Sequence, residues 1–163
     1  MSRIVFGVWD GQVTDNRGKR YFEINEYPEF RNFDEFNPGN PIKAYFGWKG
    51  FFIFDNTVNL LDSAVQYIER VAQESCGKCT PCRVGTQILK EKLEALSREE
   101  GSESDLDDIA LLGEHIQSSS LCGLGQTGSV VIVDMIKHFR KELEEEIRTA
   151  RKAGRIARQP GVT

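Results

Sequence analysis

Sulfur is scarce in this chain, with four cysteines and two methionines among 163 residues. That scarcity excludes a disulfide-stapled scaffold, which needs a dense cysteine framework. No apolar run is long enough to span a bilayer, so no membrane span is expected. The opening "MSRIVFGVWDGQVTDNRGK" has an apolar run too short for a signal sequence and no small-residue cleavage site. A cytoplasmic location is therefore expected, where thiols stay reduced and clustered cysteines hold metals more often than they form disulfides. Charge of one sign is also missing. The net charge is −4 with acids and bases interspersed, which gives no footprint for nucleic acid. Histidine occurs twice, at His115 and His138, both inside helical patterns and read as surface or packing residues rather than ligands.

A chain of this length buries one core with trimmings. Residues 1–55 read as a small β-rich module. "RIVFGVW" and "YFEI" read as short strands, Asp10-Gly11 as a hairpin tip, and "KAYFGWKGFFIFD" as two strands around Gly47 to Gly50. Between them "YPEFRNFDEFNPGNP" has the prolines, asparagines and glycine of a surface loop.

Past Asp55 the hydrophobic period changes from two to about three and a half. Val58, Leu61, Val65, Ile68 and Ala72 form one stripe, with Asn56 or Thr57 as the cap. A second helix is expected from about Val84 to Leu96 with Ile88, Leu89, Leu93 and Leu96 inward. "SESD" offers the cap of a third, carrying Leu106, Ile109, Leu112 and Ile116. A fourth begins near Thr127 with Ile132, Ile136, Phe139, Leu143 and Ile147 on one face. The expected class is α+β, a β module followed by a four-helix bundle over 56–150. A basic tail over 151–163 closes the chain, a solvated helix end or an arm for an acidic partner.

Three of the four thiols fall within "ESCGKCTPCRVGTQ", as Cys76, Cys79 and Cys82. Thiolates at i, i+3 and i+6 can take three corners of a cubane while backbone N–H groups face the sulfides. In bacterial-ferredoxin spacing a fourth cysteine follows shortly, but Thr86 stands in that region. Cys122, in the glycine-punctuated "SSSLCGLGQTG", is the remaining thiol. In an up-down bundle its turn lies at the same end as the triple. Other readings stand beside this one. Inert buried cysteines usually come singly. Four thiolates also bind zinc, though zinc sites usually pair two CxxC or CxxH arms. A CxxC redox dithiol needs a βαβ setting that these helices do not supply.

"ESCGKCTPCRVGT", "SLCGLGQTG" and "HFRKELEEEI" resemble the C-terminal iron-sulfur domain of the NADH-binding flavoprotein subunit of respiratory complex I. The same likeness extends to subunits of NAD-linked hydrogenases and formate dehydrogenases, and covers roughly residues 51–147. It implies a four-helix domain holding one [4Fe-4S] cluster on Cys76, Cys79, Cys82 and Cys122. The glycine-rich FMN- and NADH-binding part of those flavoproteins is not recognised here, nor a GxGxxG element able to cradle a pyrophosphate, so no FMN or NAD site is expected in this chain.

The expected function is single-electron relay within a multisubunit oxidoreductase, with no catalytic residue of its own and with redox subunits as partners. The alternatives are a structural adaptor with a zinc or other non-redox metal site, and a free ferredoxin-like carrier. Against the free carrier, Trp9, Phe46, Trp48, Phe51 and Phe52 hint at an interface. Lys78 and Arg83, with backbone N–H groups near Gly77 and Gly123, are candidates for tuning the cluster, and Leu121 and Leu124 for limiting water.

Overall fold

The computed structural model describes residues 4–19, 43–98 and 100–157. The expected strand "YFEI" and the proline-rich loop after it lie outside these residues. Two compact units are formed, 1–58 and 59–163.

The first unit is a four-stranded antiparallel sheet in the order β2-β1-β4-β3, from β1 (Phe6–Trp9), β2 (Gln12–Asp15), β3 (Ala44–Gly47) and β4 (Gly50–Ile53). Asp10 and Gly11 join β1 to β2 at φ of 51° and 77°, the left-handed pair that a tight hairpin demands. Val8 then faces Val13 on β2 and Phe51 on β4. The aromatics that hinted at an interface mostly build this sheet. Phe51 and Phe52 are fully buried, Trp9 stacks on Phe52 with ring centres 5.5 Å apart, and Phe46 stacks on Phe51 at 5.7 Å. Trp48, at the β3–β4 turn, stays exposed under the Lys49 ammonium.

The second unit is the helical bundle, four long helices and one short one: α1 (Leu60–Gln73), α2 (Thr80–Ser97), α3 (Asp105–Ser119), α4 (Gly123–Gly128) and α5 (Val130–Ala157). Leu60, Ala64, Ile68 and Val71 of α1 are buried at helical spacing, as are Leu89 and Leu93 of α2, Leu106 and Ile109 of α3, and Leu143 and Ile147 of α5. The cap of α1 is Asn59, whose side chain accepts from Asp62 N–H at 2.8 Å, rather than Asn56 or Thr57. Ile88 is exposed rather than inward, because Gly85, Thr86, Leu89, Leu93 and Leu96 define the buried stripe and Ile88 stands to its side. Helix α5 is broken at Phe139 (φ −124°, ψ 26°) and then runs on through Arg148 and Arg151. Arg148 is paired within the bundle, to Glu103 at 2.8 Å and Glu144 at 3.4 Å.

Candidate iron-sulfur site

Helix α1 ends where Glu74 N–H returns to Arg70 O. The chain then turns through Gly77 at φ 73°, a conformation glycine adopts without a Cβ penalty. Cys79 takes the extended backbone of an N-cap and Pro81 sits in the first turn of α2, where a missing N–H leaves nothing unpaired. The second helix thus begins at Thr80, four residues before its expected start. The triple is divided accordingly: Cys76 in the loop and exposed, Cys79 at the cap and half-buried, Cys82 inside the helix and buried.

The segment after α3 is brought to this loop. Ser120 ends α3 and Cys122 is the N-cap of α4. The donors that act on the Cys79 thiol are first the backbone N–H of Leu121 and then that of Cys82, with lesser effects of the Ser120 hydroxyl and the Cys79 N–H. Against the opposing effect of burial, these donors hold the Cys79 thiol below its ordinary value. On the other side of the loop the Ser75 hydroxyl lies 3.3 Å from the Cys82 sulfur. Thr86 Oγ1 donates to Cys82 O at 2.7 Å, fixing the first turn.

Helix α4 is the element that sequence reasoning missed. Gly123, Gly125 and Gly128 also have the GxGxxG spacing, which the sequence reading did not note. They follow a helix and a cysteine rather than a strand, unlike the dinucleotide fingerprint. Two of them serve packing. A Cβ on Gly125 would fall 2.3 Å from Ser120 Oγ and 3.2 Å from the Cβ of Cys82, and one on Gly128 would fall 2.5 Å from Val71 Cγ1. The small residues at 125 and 128, one helical turn apart, are the signal that could have found the helix.

Cys122 is exposed, as are Lys78 and Arg83. Leu121 is 77% exposed, whereas Leu124 is half-buried. Among the described residues no group of three or more Cys, His, Asp or Glu side chains is gathered as tightly as a single metal ion needs. A cubane takes its thiolates on separate corners. Thiols faced by N–H and hydroxyl donors fit an anionic, thiolate-held group.

Fold and thiol-rich end together define a helical domain of the iron-sulfur class. The family model described as the NADH-ubiquinone oxidoreductase-F iron-sulfur binding region matches residues 62–146, and the chain belongs to that family. It is 34% identical over 161 residues to the NADP(+)-dependent formate dehydrogenase subunit beta of Moorella thermoacetica, covering 99% of this chain and 22% of that protein. That match takes in the β unit as well as the bundle. The NADPH-Fe(3+) oxidoreductase subunit beta of Geobacter sulfurreducens is 32% identical over 160 residues, covering 97% of this chain and 23% of that protein. Among solved structures, an NAD+-reducing [NiFe]-hydrogenase in the H2-reduced state is similar with a TM-score of 0.54 and 33% identity, covering 59% of this chain and 17% of that one. The chain thus spans about a fifth of the length of these relatives.

Proposed function

We propose that this chain relays single electrons within a larger NAD(P)-linked oxidoreductase, and that Cys76, Cys79, Cys82 and Cys122 hold one [4Fe-4S] cluster for that purpose. The observation that carries the reading is the close approach of Gly125 to Ser120 and to Cys82, where an added Cβ would fall 2.3 Å from Ser120 Oγ and 3.2 Å from the Cβ of Cys82, so that the segment bearing Cys122 lies against the start of α2, where the other three thiols stand. When bound, such a cluster supplies reversible one-electron chemistry. The chain's own residues do the rest. Gly77 turns the loop, Gly125 lets α4 close on Cys82 and Ser120, and the N–H groups around Cys79 favour a charged sulfur. Lys78 in the loop and Arg83 in the first turn of α2 place positive charge near the same thiols in sequence.

In this reading the chain performs no substrate chemistry itself. Flavin and nicotinamide are held by partner subunits or by other segments of the assembly, and the assembly works in the cytoplasm. No helix among the described residues is long and apolar enough to cross a membrane. Anaerobic purification followed by metal analysis tests the reading. About four irons and matching acid-labile sulfide per chain support it; stoichiometric zinc would instead make the thiols a structural staple.

A further inference from the structure

Two serine hydroxyls at the thiol-rich end have no role in helix capping or packing that accounts for their placement. Ser75 Oγ receives the N–H of Gly77 at 3.4 Å and lies 3.3 Å from the Cys82 sulfur. With its oxygen accepting from Gly77, the hydroxyl proton is left for the sulfur. A thiolate at Cys82 has no proton to give, so Ser75 must be the donor in that pair.

Ser120 is fixed through its backbone on both sides. Its N–H donates to Ile116 O at 3.1 Å and its carbonyl accepts from Gln126 Nε2 at 3.0 Å. Its hydroxyl is buried and has no regular hydrogen-bond partner among the described residues, the residue being 7% exposed. A buried hydroxyl left unpaired is costly, so its position calls for an acceptor. Gly125 closes over it, and the same spot borders the Cβ of Cys82.

We propose that Ser75 and Ser120 are positioning residues for electron affinity, Ser75 donating an O–H···S hydrogen bond to the sulfur of Cys82 and the buried Ser120 hydroxyl donating to the thiolate-held group at the same end. This deepens the relay reading and rests on it. Electron gain makes the thiolate-held group more negative, and a hydrogen bond to sulfur strengthens as that charge grows. The hydroxyls therefore favour the reduced state. Neither serine is a ligand in this scheme, so iron binding does not depend on them.

The test is an EPR-monitored redox titration of the full chain, purified anaerobically, as wild type, Ser75→Ala, Ser120→Ala, the double variant and Ser75→Thr, with iron counted in each. Full iron content is expected throughout. Each alanine variant is expected to hold its electron about tenfold less tightly, a shift of about 59 mV to more negative potential for one electron. The double variant shifts further, and Ser75→Thr, which keeps the hydroxyl, stays near wild type. Unchanged potentials in iron-replete alanine variants would overturn the proposal. So would loss of iron from the alanine variants with full iron in Ser75→Thr, which would make the hydroxyls part of loop assembly. An iron-free wild type would remove the relay reading itself, a result separate from either of these.

Discussion

Gly125 stands so close to Cys82 that a Cβ added to it would meet the Cβ of Cys82 at 3.2 Å, with Ser120 Oγ nearer still at 2.3 Å. Backbone of α4 is thereby laid directly on the first turn of α2. Gly125→Ala must push these segments apart and is expected to cost about 1–3 kcal/mol, as overpacking does, and to lower the iron bound per chain. Gly123→Ala is the matched control, since a Cβ there meets nothing within 4 Å, and should stay within about 0.5 kcal/mol of wild type. Urea unfolding and iron content of the two variants check this. Equal behaviour would mean that α4 does not need to approach Cys82.

Much of this arrangement is legible in sequence because its causes are local. The switch of hydrophobic period after Asp55 marks the β unit from the bundle, and Asp10-Gly11 marks the hairpin by its backbone needs. Cys76, Cys79, Cys82 and Cys122 are singled out by spacing in a chain with no other thiol. What escapes is set by tertiary contact. "GLGQTG" reads as a turn on glycine content, yet its close approach to Ser120, Cys82 and Val71 keeps it helical. The start of α2 escapes for another reason, since its cap is a cysteine whose side chain makes no capping bond. Ile88 looks inward by hydrophobicity alone, and only the packed bundle shows which side of α2 is covered.

Glu146 of α5 accepts from the N–H groups of Leu60 at 2.9 Å and Leu61 at 3.0 Å, so it caps a helix 86 residues away in sequence. Burial pushes its carboxyl above the ordinary 4.5, and the two N–H groups pull the other way without cancelling it. A raised carboxyl contributes stability that is complete below its unfolded value and lost as pH rises through its folded value. Thermal melts should show wild type losing a small increment across that window, while Glu146→Gln lacks it. Glu146→Ala removes both acceptors and is expected to cost about 1 kcal/mol at neutral pH.

Asp107 of α3 is paired with Arg140 of α5, whose guanidinium also reaches Glu144 at 3.0 Å. The guanidinium holds the Asp107 carboxyl below its ordinary 3.8. A lowered carboxyl has the opposite sign. Its stabilisation is present above the unfolded value and lost as pH falls through the folded one. Asp107→Asn should therefore melt slightly lower than wild type at pH 7, and the gap should close in acid and shrink in high salt. A gap independent of pH would place the effect in something other than this ion pair.

The central claim is that Cys122 joins the triple in holding one redox-active cluster. Low-temperature EPR of the dithionite-reduced, anaerobically purified chain, beside its Cys122→Ser variant, tests it most directly. The account predicts a reduced-cluster signal in wild type that is altered or lost in the variant. No signal from wild type, or an identical signal and iron content in both, would contradict it.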